Sequence, residues 1–472
     1  MNRYFNLINN TFKWQFFATI YITILQVVTL ILLGRYLDNT ALGSFAVFQM
    51  IFRMALAIFD PGMFFSVVQK HEVSSKLLKL LTRHQLLYLF ICIIILCFSI
   101  FVFKINYISN IILIAFSFLI LFLIGIGSYT QQVLILKDKQ KDIAIIQMLA
   151  YSIELVVLLI LLRYYSPVYC FSFSIIIRFF VMYLINYLYG KTLPDSTNGN
   201  QIDFVSHIHS SRFNLYNQVL SFIQGHYDTA FIILMFGLSI LGPYNLAIEF
   251  SFILFSKVNP LFNKSIFPVI AKARKEHQVP DSMMARQFIN FICVIVPLYL
   301  ILYVNSNSIL TWAYLEKGSE IYYYSSFILF VALIKAFNNI LFTYLLASGA
   351  TKSIFYWNTG ILLINYSICF ILYWNQWSMD HFLYFSVAYS FVVLLFLMIQ
   401  TSYHFPFFFN EVKSNGLTAF LILFFLILIL FGLQMVLHNP ILLLVLSISV
   451  YVLLFLILDR KRLFNLLNLK IV

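Results

Sequence analysis

Charge is what this chain is short of. Asp, Glu, Lys and Arg together make up 10% of its 472 residues, while 62% are apolar. A water-soluble fold needs more polar surface than this to cover its core, so lipid is the main solvent. Cysteine is scarce too. Cys92, Cys97, Cys170, Cys293 and Cys369 all lie inside apolar runs and lack zinc-ligand spacing, which argues against a disulfide framework and a metal site. His207 and His209 stand in a polar connection with no Cys or acidic cluster beside them, as solvated loop residues do. No catalytic constellation and no cofactor motif is present, so neither catalytic nor metal-ligating residues are expected.

What is present is a succession of long apolar runs. With about 20 residues needed to cross the hydrocarbon, the runs place six spans near 12–35, 42–69, 85–103, 107–136, 143–162 and 168–190. Eight more fall near 213–237, 243–271, 287–311, 320–348, 354–374, 380–402, 416–437 and 441–458. The first run is too long for a signal peptide and has no cleavage-like site, so it is expected to remain as a helix. The expected fold is an all-α membrane protein of about fourteen transmembrane helices. Residues 1–190 form an N-terminal lobe, 191–212 a cytoplasmic connection, 213–402 a C-terminal lobe, and 403–472 two extra spans with a basic tail.

The net charge of +13 is distributed by side. With the N-terminus in the cytoplasm, 21 of the 30 Lys and Arg residues fall on that side, and only Arg35, Lys104, Arg163 and Lys317 fall on the other. The positive-inside rule therefore puts both termini in the cytoplasm. Topology and contact with anionic lipid account for the basic loops, and nucleic acid is not an expected partner. Every outward connection is short, which excludes a folded domain on that face. Tyr322, Tyr323, Tyr324, Trp312, Trp374 and Trp377 fit an interfacial aromatic belt.

Two motifs repeat. Leu42-Gly43 begins the second span and Pro61 follows eighteen residues after Gly43; Leu241-Gly242 begins the eighth and Pro260 follows at the same distance. The common offset of 199 residues predicts two homologous six-helix lobes related by an axis along the membrane normal.

Four cations fall near mid-membrane: Arg53, Arg178, Lys257 and Lys335. Each would cost about 2.5–3.5 kcal/mol against lipid, so they are expected to face one central cavity. Glu154 and Arg178 come to similar depth in a helical hairpin, so simple pairing of the two is a second reading. Asp60, Asp228 and Glu249 also lie in or near spans, as ion-coupling groups, as partners or as helix caps.

The stretch "LILLGRYLDNTALGSFAVFQMIFRMALAIFDPGMFFSVVQK" resembles the first two helices of the polysaccharide-transporter branch of the multidrug/oligosaccharidyl-lipid/polysaccharide flippase superfamily. "YDTAFIILMFGLSILGPYNLAIEF" and "FNKSIFPVIAK" resemble the second half of the same branch, and Wzx-type O-antigen flippases are similar in span pattern. The Asp60-Pro61-Gly62 turn departs from the branch, which usually has a small or apolar residue at the middle position. The resemblance implies translocation of an undecaprenyl-diphosphate-linked oligosaccharide across the bacterial inner membrane, beside a polysaccharide polymerase and a chain-length regulator. On that reading Arg53, Arg178, Lys257 and Lys335 hold the diphosphate, because guanidinium and ammonium groups are the usual phosphate donors. A drug/cation antiporter would prefer acidic mid-membrane residues, and a polymerase or ligase would need a sizeable outward loop.

Overall fold

The computed structural model describes residues 2–59, 139–191, 222–260, 262–263, 281–347, 351–436 and 440–458, and the single positions 94, 134 and 220. Among these residues there are helices and no strand: α1 (Asn2–Tyr36), α2 (Asn39–Phe59), α3 (Gln140–Leu161), α4 (Pro167–Lys191), α5 (Tyr227–Phe236), α6 (Leu238–Ser251), α7 (Asp281–Tyr314), α8 (Gly318–Ala347), α9 (Thr351–Trp374), α10 (Met379–His404), α11 (Phe408–Val436) and α12 (Pro440–Leu458). Twelve of the expected spans overlap one of these helices, those near 213–237 and 243–271 only in part because they run into residues that are not described. Among the described residues six helical stretches are long and apolar enough to cross a membrane, or seven if the bent α11 is one span. The expected spans near 85–103 and 107–136 lie almost wholly outside the described residues, as does the second span beyond Phe59. The all-helical, multi-span class is borne out, and the chain is a multi-pass membrane protein.

The chain divides into two compact units, Met1–Gly242 and Pro243–Val472. In the first, α1, α3 and α4 pack side by side. Ala18 and Ile22 of α1 meet Ala144 of α3, where small side chains let the helix backbones approach. The opposite faces stay apolar and exposed: Phe17, Ile20 and Ile24 on α1, Leu149, Ile153, Val156 and Ile160 on α3, and Phe173, Phe180, Leu184 and Leu188 on α4. Spacings of three and four put each set on one strip, the surface such a helix offers to lipid.

The first turns of α2 and α6, both in this unit, cross in backbone contact. A Cβ added to Gly43 would overlap the Leu238 carbonyl oxygen and stand 2.7 Å from its carbon. One added to Gly242 would overlap the Asn39 carbonyl oxygen and stand 2.8 Å from Leu42 Cβ. Asn39 precedes Gly43 by four residues, as Leu238 precedes Gly242, so the contact is reciprocal. Only glycine at both positions lets the helices come this close.

In the second unit α7 is the central post. Phe288, Phe291, Ile292 and Ile295 pack against Ala332, Ala336, Ile340 and Tyr344 of α8 and against Ala419, Ile422 and Leu423 of α11. Higher on α7, Ile301 and Val304 meet Leu426 and Leu430 of α11 and Leu443 of α12, and the Tyr451 hydroxyl donates to the Cys293 carbonyl. The last two helices are thus anchored on α7 along one side, while Phe424, Phe425, Leu428 and Leu453 remain exposed on the other. Trp312, Trp374 and Trp377 are exposed, at or just beyond helix ends.

Candidate functional site

The polar groups of the first unit collect at one depth. Taking the apolar spans Phe17–Tyr36, Lys141–Leu161 and Pro167–Asn186, Gln26, Tyr151 and Arg178 lie within two residues of the span midpoints and Glu154 within three. The Gln26 side-chain amide donates to the Tyr151 hydroxyl at 3.3 Å, and Tyr21 shares a 2.8 Å hydrogen bond with Ser152. One terminal nitrogen of Arg178, Nη1, donates to both carboxylate oxygens of Glu154, at 3.1 and 3.0 Å. The guanidinium carbon stands 4.7 Å from the Tyr151 ring centre and 4.8 Å from that of Phe179. Glu154 is buried, and 17% of the Arg178 side chain is exposed.

Pairing and the flanking aromatic faces are what make a cation tolerable at this depth. The hairpin of α3 and α4 brings Glu154 and Arg178 level, as the sequence had suggested. Arg53, on α2 in the same unit, is exposed. Asp60 lies outside the described residues. Asp228 is at the start of α5, where its carboxylate accepts the Thr229 N–H at 2.7 Å and the Thr229 hydroxyl at 3.4 Å, so it serves the helix terminus.

In the second unit the Lys335 ammonium lies 5.2 Å over the Phe252 ring. One turn along α8, Asn339 sits in an amide cluster that the sequence reading missed. Asn259 Nδ2 donates to the Ala336 carbonyl at 3.0 Å and to Asn339 Oδ1 at 3.3 Å, and Asn263 Nδ2 donates to the same Oδ1 at 2.6 Å. A backbone carbonyl can only accept, so Ala336 fixes the orientation of Asn259, which in turn fixes the other two. The Oδ1 atoms of Asn259 and Asn263 are then buried without a hydrogen-bond partner among the described residues. Lys257 and Glu249 are half-buried on the span Leu238–Pro260.

Arg178 and Glu154 are therefore brought together, while Arg53 and Arg178 belong to one unit and Lys257 and Lys335 to the other. Gln26, Tyr151 and the three asparagines were the residues missed. The signal for the last was available, since Asn259 and Asn263 are four apart, one helical turn, in the same span as Lys257.

Solved structures of similar fold include one titled "Lipid II flippase MurJ, inward closed conformation". It superposes with a TM-score of 0.68 at 13% identity, over 96% of this chain and 99% of that one. Among curated proteins, the teichuronic acid biosynthesis protein TuaB of Bacillus subtilis (strain 168) is 27% identical over 152 residues. That alignment spans 32% of each chain, about a third of the curated relative's length. Residues 8–274 match the family described as "Polysaccharide biosynthesis protein", more than half of the chain, and the chain belongs to that family.

Proposed function

We propose that this protein is a flippase that carries a polyprenyl-diphosphate-linked oligosaccharide, a building unit of a surface polysaccharide, from the inner to the outer leaflet of a bacterial cytoplasmic membrane. Membership of a polysaccharide biosynthesis family supports the substrate class, and a flippase structure shares the fold. The observation that carries the reading is a guanidinium kept at mid-membrane with part of its side chain exposed. Charged side chains at this depth mark substrate or ion pathways, and the pairing with Glu154 leaves part of this one exposed to meet a headgroup.

The polar headgroup is the difficult part to move, because stripping it of water without replacement hydrogen bonds costs several kcal/mol per group. Arg178 and Arg53 offer donors to phosphate oxygens, and Lys257 and Lys335 of the other unit offer mobile charges. Glu249 and Glu154, both within described spans, are our candidates to couple an ion to the cycle. The chain is a transporter rather than an enzyme, and movement by alternating access requires no covalent step. The distribution of Lys and Arg supports a cytoplasmic position for both termini.

The test is reconstitution in liposomes with defined undecaprenyl-diphosphate saccharides labelled in one leaflet. Loss of leaflet asymmetry in vesicles with the protein, but not in protein-free vesicles or with Arg178→Ala, is the expected result. Equal rates in all three would refute the proposal.

A further inference from the structure

Arg178 spends only one of its nitrogens on Glu154. Both hydrogen bonds leave from Nη1, and among the described residues Nε and Nη2 have no acceptor. Neither atom is among the buried groups without a partner, so both keep access to a ligand. A guanidinium has two donor edges that can take an oxyanion in fork geometry, and the edge made by Nε and Nη2 is the one left over.

Helical phase says where that edge opens. The exposed apolar strip of α3 runs through Leu149, Ile153, Val156 and Ile160, and that of α4 through Phe173, Phe180, Leu184 and Leu188. At 3.6 residues per turn, Glu154 and Arg178 each lie roughly 120° or more round the helix from their strip. The exposed part of Arg178 therefore faces away from the lipid side. The Tyr151 and Phe179 rings limit the swing of the guanidinium, and Gln26 ties down the Tyr151 hydroxyl from α1.

We infer that Glu154 is a positioning residue: it holds Arg178 by Nη1 so that the Nε–Nη2 edge forms a ready-made seat for one phosphoryl group of the lipid-linked diphosphate. The pair and the binding site are then one device rather than alternatives. Between turnovers Glu154 neutralises the cation, which makes it tolerable in the membrane, and the seat recognises its ligand by directed donors instead of unbalanced charge. This inference rests on the flippase reading proposed above.

The decisive variant is Arg178→Lys, which keeps a cation for Glu154 but has no second edge. The probe is undecaprenyl diphosphate titrated into protein in nanodiscs, with melting temperature followed on the same samples. The expected result is affinity at least tenfold weaker in Arg178→Lys, with the ligand-free melting temperature held near the parent value. Glu154→Gln, which still offers an oxygen to Nη1, should bind within about threefold of the parent, whereas Glu154→Ala should fall with Arg178→Lys. A merely structural ion pair would leave the affinity of Arg178→Lys unchanged and make the Gln and Ala variants equally unstable; that result overturns the inference. If Arg178→Lys does not accumulate, the doubly neutral Arg178→Gln/Glu154→Gln protein decides. Folding with full affinity would refute the seat, and folding with lost affinity would support it. If the parent protein binds no undecaprenyl diphosphate, the seat is refuted, while the flippase reading stands or falls separately on the liposome assay.

Discussion

The crossing of α2 and α6 gives the sharpest prediction about the fold. In Gly43→Ala the new methyl group would overlap the Leu238 carbonyl oxygen and lie 2.7 Å from its carbon and 3.0 Å from its Cα, where ordinary contacts are 3.4–4 Å. All three atoms are backbone, so no side chain can step aside. The helices must part by at least about 0.7 Å, a gap at which contacting atoms lose a quarter to a half of their dispersion energy. Overpacking of this kind costs about 1–3 kcal/mol. Gly242→Ala meets the Asn39 carbonyl and Leu42 Cβ and should cost a similar amount.

The two glycines share one crossing, which adds a second expectation. Once either methyl group has separated the helices, the other finds room, so the double variant should be destabilised by clearly less than the sum of the singles. Gly360→Ala and Gly432→Ala are the controls. They lie in the interiors of α9 and α11 with nothing within 4 Å of an added Cβ, and each should gain about 0.5–1 kcal/mol from helix propensity. Melting of the detergent-purified protein, read by loss of its monodisperse peak, compares all five. Additive losses at Gly43 and Gly242, or losses no larger than at the controls, would refute the backbone-contact argument.

Two further expectations concern polar groups in the second unit. Asn339→Leu removes the oxygen that Asn259 and Asn263 both donate to, and stranding those donors should cost about 1–3 kcal/mol; Asn339→Asp, which keeps the acceptor, should cost less, and melting curves of the two would show the order. Asp281 is 4% exposed and accepts the Phe407 N–H at 2.9 Å, tying the turn between α10 and α11 to the start of α7. Asp281→Ala should speed amide hydrogen exchange at Phe407 by about tenfold or more, the equivalent of about 1.4 kcal/mol or more, and unchanged exchange would show that the turn is held by other contacts.

Hydropathy was enough to place most helices, because in lipid a backbone can satisfy its hydrogen bonds only within the helix itself. The level depth of Glu154 and Arg178 was legible for a related reason: a short hairpin fixes the relative height of two adjacent spans. Gln26 with Tyr151, and Asn259 with Asn339, were not legible. They are 125 and 80 residues apart, and their meeting depends on which helices neighbour each other and how each is rotated. Periodicity gives the rotation of a helix only where one face is distinctly polar, and these spans are apolar nearly all round. The repeat at an offset of 199 pointed to Gly43 and Gly242 as corresponding positions, but not to their lying against each other.

That juxtaposition bears on how the two proposed lobes would have diverged. Under a repeat, corresponding residues that touch must be compatible with themselves as well as with their surroundings, because any change on one side meets its own counterpart across the axis. Glycine at a backbone crossing meets that condition from both sides at once. The polar groups are not so bound. Counted from the starts of the matching expected spans, positions 154 and 178 correspond to Asn365 and Ser390, and Lys335 corresponds to Phe122. An ion pair in one half and a lysine with an amide cluster in the other are thus separate additions to a shared frame. The substrate we propose, with a diphosphate at one end and a glycan beyond it, presents two chemistries, and halves that differ in polar groups would meet them differently. Directed guanidinium donors suit the phosphoryl oxygens. Carboxamides, which both donate and accept, are the groups that hydroxyls pair with.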